Sequence, residues 1–340
     1  MIKLSIYVFL IVFSNIVCAS DYALISQNVK REIITSYVDQ SVIDSAKSIV
    51  VKKPNAISNV HIEGNVIQGA AYNKIKNATY DWDKMKILAY AWSVTHSQVY
   101  LDTLSNYFTA WLDVYKITYN PIDEEKITNM IIAYDLVKDD LSSDLKLKMN
   151  FFIEKLLSGY LTEIEERGGK DFTNWQSHRL KIATFCAFIL GDEKSIELID
   201  KYYHQQLDNN LLADGAVYDY KLHDSYSYAL YDLNSLLEIA LVANRHGYDW
   251  FSYSNKNGGS LKKSLNWIIS STEKPSDKQF ANSKIKFDAV RRVAGVKGMQ
   301  SQWDPMQAQK TFAIASMIDR SYQKYLVKTF TSAKLNLLLF

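Results

Sequence analysis

Residues Asp171–Glu193 read DFTNWQSHRLKIATFCAFILGDE, and Asp214–Ala240 read DGAVYDYKLHDSYSYALYDLNSLLEIA. Each continues as an apolar helical pattern, without the alternation of a strand. Each also begins with a crowd of polar and aromatic side chains. The first holds Asn174, Trp175, Gln176, Ser177 and His178; the second holds His223, Asp224, Ser225, Tyr226 and Tyr228. A helix that only packs needs one capping residue followed by an amphipathic repeat. These two starts gather groups that donate, accept or shuttle protons, and they read as two walls of one site.

Working outward, helical periodicity predicts helices over 22–51, 82–96, 98–116, 123–139, 142–166, 174–190, 193–209, 223–246, 259–271 and 305–330. The links are short, as between antiparallel helix pairs. Asp123 and Glu124 after Pro121 resemble a helix start, while Gly191 and Gly247 resemble helix ends. Residues 52–80 show no period and contain Pro54, Gly64 and Gly69, which predicts a long, functional loop. Strand signals are sparse. Helix pairs recur roughly every 35–50 residues, within the range of helical repeat architectures. No Pro- or Ser-rich linker divides the chain, so residues 20–340 are expected to form one all-α domain.

The first twenty residues, MIKLSIYVFLIVFSNIVCAS, combine an early lysine, an apolar run and a small-residue end. That pattern predicts a signal peptide over 1–19 and a periplasmic or secreted product. The run is too short for a membrane anchor, and no other segment could span a bilayer. Cleavage would leave Cys186 as the sole cysteine, in an apolar run where an inert core thiol is expected. The 340 residues are 48% hydrophobic, enough for a large core. A net charge of +2 is far from the concentrated basic face that nucleic acid demands. The 23 tyrosines and 7 tryptophans supply core, and also flat faces with polar edges suited to sugar rings.

Asn174 and His178 lie four apart, on one helical face near a positive helix end, a setting that suits a carboxylate ligand. His178 could be a base or a second carboxylate contact; equally, Asn174 could be a plain cap and His178 a hydrogen-bonded core residue. Tyr228 could protonate a leaving glycosidic oxygen or, ionised, remove a carbon-bound proton. Ionisation would need a neighbouring cation such as His223, Lys221 or an arginine. Asp214-Gly215 reads as a turn. Asp214, Asp219, Asp224 and Asp232 keep a two-carboxylate hydrolase open. No spacing for structural zinc, no GxSxG elbow and no phosphate loop is present.

At these residues the chain resembles the alginate lyase family of polysaccharide lyases, over about residues 60–320. LAYAWSVTHSQVYLDTLSNYFTAWLDVYKITYNPIDEEKITNMIIAYDLV is similar to a family helix pair. Asn174 falls where the family carries Asn-Asn-His, although here the histidine comes two places late. DGAVYDYKLHDSYSYALYDLNSLL aligns Tyr228 with the catalytic tyrosine, with His223 or Lys221 in place of the arginine before it. FANSKIKFDAVRR (280–292) resembles a loop lining the cleft.

The resemblance implies an (α/α) toroid or incomplete barrel of antiparallel helix pairs. It also implies β-elimination on a uronic-acid-containing, anionic polysaccharide. Asn174, with His178 or Gln176, would neutralise the charge building on the carboxylate. His178 or Tyr228 would remove the C5 proton, and Tyr228, with His223 holding its charge state, would protonate the departing O4. Trp175, Tyr72, Lys74, Trp82, Lys221, Arg291 and Trp303 are candidates for binding sugars. The scheme calls for no metal or cofactor, and a monomer is expected. The alternatives are an inactive acidic-glycan-binding toroid, a toroid glycoside hydrolase, and a secreted interaction protein.

Overall fold

A computed structural model describes residues 23–24, 40–64, 69–168, 170–273 and 278–327. The predicted leader, most of the 22–51 helix and the apolar tail at 335–340 lie outside the described residues. The helices are α1 (Gln40–Val50), α2 (Ala70–Thr95), α3 (Gln98–Val114), α4 (Ile127–Val137), α5 (Ser143–Glu166) and α6 (Asn174–Leu190), continuing with α7 (Glu193–Asn210), α8 (Tyr218–His223), α9 (Tyr226–Arg245), α10 (Leu261–Thr272), α11 (Lys286–Val293) and α12 (Gln309–Ile318). Among the described residues there is no strand, only isolated bridges such as Leu211 with Val217.

The packing is that of an (α/α) toroid. An inner row runs α2 on α4, α4 on α6, α6 on α9 and α9 on α12, with α3, α5 and α7 packed outside it. Two-residue links at 96–97 and 191–192 turn the chain between inner and outer helices. At the second, Gly191 takes φ 63° to end α6, and Asp192 accepts a hydrogen bond from Ser195 N at 3.2 Å to start α7. A left-handed residue at a helix end costs glycine little.

Helix α6 is the hub. Every residue from Gln176 to Phe188 is buried, including Arg179 and Lys181. Those charges stay in the interior because each has a carboxylate: Asp171 at 2.7 Å and Glu238 at 3.2 Å. Cys186 is fully buried and free, and burial pushes its thiol pKa well up, as an inert core thiol requires.

The structure moves several predicted boundaries. Residues 70–80, expected in a loop, form the first turns of α2; most are exposed, so they carry no apolar periodicity. Asp123 and Glu124 do not start a helix, since α4 begins at Ile127. Both are buried and serve as hydrogen-bond hubs. Glu124 accepts from Tyr115 and Tyr160 hydroxyls at 2.6 and 2.5 Å and from Thr118 N at 2.7 Å. The 223–246 helix is broken by Asp224 at φ 49° into α8 and α9. The 305–330 helix is a 3-10 turn, α12 and a second 3-10 turn. Helix α11, eight residues long with a single buried side chain, Asp288, escaped the periodicity reading.

Candidate active site

The break at Asp224 builds the site. Phe280 N donates to the Asp224 carbonyl at 2.7 Å, Asn282 N to its carboxylate at 2.8 Å, and Lys284 N to the Leu222 carbonyl at 2.8 Å. These bonds pin segment 280–284 across the α8–α9 junction. Opposite it, Asp123 accepts from Ile62 N and Glu63 N at 2.6 and 2.7 Å, fixing a lip formed by 62–64. Between the two lies a cleft of about 720 Å³, with the starts of α6 and α9 at its floor.

Four side chains on one wall interlock. His223 and Tyr228 stack with ring centroids 3.5 Å apart and planes 12° apart. His223 Nδ1 donates to Asp288 Oδ2 at 2.6 Å, which leaves Nε2 unprotonated and basic when the ring is neutral. Ser283 donates to the same carboxylate at 2.7 Å. Arg291 Nη1 lies 3.4 Å from both Asp288 Oδ1 and the Tyr228 hydroxyl. Burial works against charge on Asp288, but the bonds from His223 and Ser283 outweigh it and its pKa lies below the ordinary value. Burial pushes the Tyr228 hydroxyl up; Arg291 opposes the shift and Asp288 and Asp219 add to it. Tyr228 is therefore a phenol, not a phenolate, at neutral pH. Its neighbouring cation is Arg291, a sugar-binding candidate by sequence, which here touches the phenol instead.

The start of α6 is used differently. Asn174 donates its backbone N–H to Asp219 Oδ2 at 2.8 Å and its side-chain amide to Oδ1. Asn174 and Asp219 both line the cleft. Burial, opposed by the Asn174 amide and the His223 charge, pushes Asp219 up to about 6. Trp175 also lines the cleft, with Arg179 behind it. His178 does not. It is fully buried, bonded through Nδ1 to Ser235 Oγ at 3.1 Å, with its ring 4.2 Å from that of Tyr231, which forms the cleft floor. Burial, then the charge of Lys181, holds its pKa well below the usual value, so it is a neutral core residue without access to substrate. Gln176 is likewise buried, accepting from Arg179 at 3.2 Å.

The other sugar-binding candidates lie away from the cleft. Trp82 is fully buried 4.8 Å from Trp111, and Trp303 is buried against Tyr226. Their size is core volume. Lys221 is exposed and paired with Asp214 at 2.9 Å. Tyr72 and Lys74 sit on the early turns of α2, and Lys74 faces a separate groove beside Asn55. Asp232, a candidate for hydrolysis, is fully buried, and burial and then Asp219 raise its pKa well above the usual range. Gln307 belongs to the site without a sequence signal, Phe280 and Asp288 come from the 280–292 segment, and Asp219 serves as the acceptor for Asn174 rather than as one of a hydrolytic pair. A further signal is Asp288 three residues before Arg291, a spacing that places both on one helical face. Among the described residues no group of three or more His, Cys, Asp or Glu is arranged to hold a metal.

A helical toroid with an ionisable cleft at the mouth of its inner helices is an architecture of polysaccharide lyases. The family model described as "Alginate lyase" matches residues 33–277, and the chain belongs to that family of polysaccharide lyases. An alginate lyase from Bacteroides ovatus superposes with a TM-score of 0.71 at 14% identity, covering 94% of this chain and 98% of the other. Alginate lyase A1-III from Sphingomonas species A1 gives 0.61 at 15%, covering 92% and 89%. An A1-III variant complexed with a tetrasaccharide gives 0.63 at 14%, covering 94% of each chain. No curated protein matches the sequence.

Proposed function

We propose that the cleft cleaves an alginate-like, uronic-acid-containing polysaccharide by β-elimination, with His223 as base and Tyr228 as acid. The observation that carries this reading is the stacked His223–Tyr228 pair, anchored by Asp288 and Arg291 in an open cleft. β-Elimination requires removal of the C5 proton beside a carboxylate, cleavage of the C4–O4 bond, formation of the C4–C5 double bond and protonation of O4. His223 Nε2 takes the C5 proton, and Asp288 stabilises the imidazolium that results. The phenol of Tyr228 gives its proton to O4. Arg291 stabilises the tyrosinate left behind and, with Lys297 further along the cleft, offsets the negative charge that develops on the substrate carboxylate. Asn174 takes part through Asp219: once protonated, that carboxyl becomes a donor towards an incoming uronate rather than a like charge. Trp175 and Phe280 offer faces for neighbouring sugars.

The apolar leader over 1–19 supports export to the periplasm or medium, and N-terminal sequencing of protein recovered from those fractions tests it. A monomeric state is tested by light scattering. The reaction is tested by incubating purified, folded protein with alginate, glucuronan and a glycosaminoglycan. Absorbance from unsaturated uronate is the expected result. Silence on every acidic glycan would reject the reading; binding without turnover would leave a glycan-binding toroid.

A further inference from the structure

Below the cleft floor, the inner helices enclose a second space of about 240 Å³. At about 30 Å³ per water in the liquid, it would hold about eight. It shares no lining residue with the cleft; Tyr231 on the cleft floor reaches towards it, its hydroxyl 3.4 Å from Glu125 on the cavity lining. Five cationic side chains line it against three carboxylates. Those carboxylates are heavily shared. Glu238 binds Lys181 at 3.2 Å and Lys310 at 3.0 Å, and their charges, against the cost of burial, hold it down at about 2. Asp83 gives one oxygen to Lys126 at 2.6 Å and the other to Asn129 at 2.7 Å.

Lys86 is left over. Among the described residues it has no ion-pair or hydrogen-bond partner, although it lines this cavity. Burial, and then the like charge of Lys310, pushes its pKa down to about 8. Arg245 gives Nη1 to the Leu24 carbonyl, while its buried Nη2 has no partner among the described residues. Lys86 is only partly buried, and a cation without a counter-charge on the wall of a polar cavity is a natural partner for an anion. Lys310 remains 38% exposed, so the space is reachable from outside.

We propose that this cavity binds a small oxyanion, held between Lys86 on α2 and Lys310 on α12, the first and last helices of the inner row, with Arg245 as a further donor. A tetrahedral or carboxylate anion fits the volume, supplies the missing acceptor for Lys86, and ties the two ends of the helical row through one charge. The site is independent of the elimination chemistry and would bind in an enzyme with a disabled cleft.

The test is thermal unfolding of the full chain in chloride at constant ionic strength, titrated with inorganic phosphate, sulfate or glucuronate. A ligand bound only by the folded state raises the melting temperature in a saturable way, unlike the linear effect of excluded salts. A saturable rise of a few degrees is expected for at least one anion; which one separates an inorganic occupant from a sugar acid. Lys86→Met breaks no ion pair, so it should fold, melt no lower than wild type in chloride, and lose the rise. Lys310→Met should lose it too. Isothermal titration of the same anions into wild type reads binding without any variant. No saturable shift and no heat in wild type, or an undiminished shift in Lys86→Met, would overturn the proposal.

Discussion

The two polar helix starts differ in what their side chains face. At α6, Asn174 is held by Asp219 of α8, Gln176 by Arg179 and His178 by Ser235 of α9, so its polar groups are tied up by neighbouring side chains. At the α8–α9 junction, the backbone breaks at Asp224 and His223 and Tyr228 emerge into a cleft. The lesson concerns neighbours. A helix packed on four sides turns its polar residues into internal supports, whereas a helix with a broken start and one open side presents them to substrate.

The sharpest way to break this contrast is Tyr228→Phe. It removes the acid and one hydroxyl, so uronate absorbance should fall by about 10²–10⁴-fold while polymer binding and melting temperature hold. A variant with full activity would move the chemistry away from the α9 start. Trp82→Ala should cost about 3–5 kcal/mol in denaturant unfolding, because it empties buried volume beside Trp111. Turnover per folded molecule should be unchanged; a selective rise in KM would instead return Trp82 to the substrate.

Arg291→Ala should lower kcat/KM by about 10–100-fold, the equivalent of about 1.5–3 kcal/mol for a hydrogen bond to a charged group. Because Arg291 opposes the rise in the Tyr228 pKa, the basic limb of the pH–rate profile should move upward. His178→Leu should cost about 1–3 kcal/mol of stability by leaving Ser235 without its partner, measured by urea unfolding. Activity of the folded fraction should persist, and its loss would place the α6 start back in the mechanism.

The smallest effect concerns Asp219. Its folded pKa of about 6 exceeds the ordinary carboxylate value, so the folded state binds the extra proton. Its contribution is fully present below about pH 4 and is lost as pH rises towards and through about 6. Asp219→Asn should therefore flatten the decline of stability between those values, as read from melting temperatures across pH. An unchanged slope would mean that Asp219 stays charged beside Asn174.

Much of the fold was legible because burial writes itself as periodicity. The hub sequence from Gln176 to Phe188, the Gly191 stop and the short links all follow from local rules, and they specify a helical, layered chain with two polar starts. Local rules also singled out Tyr228, which lines the cleft. They could not say that Trp82 and Trp303 fill core, since a tryptophan that packs and one that stacks on sugar share the same local sequence. Nor could they pair His223 with Asp288, 65 residues away, or bring Arg291 to the Tyr228 hydroxyl. Periodicity reports which face of a helix is dry. Which acid, base and cation meet across a cleft depends on how the helices are stacked and where a loop such as 280–284 is tied down, and only the tertiary structure decides that.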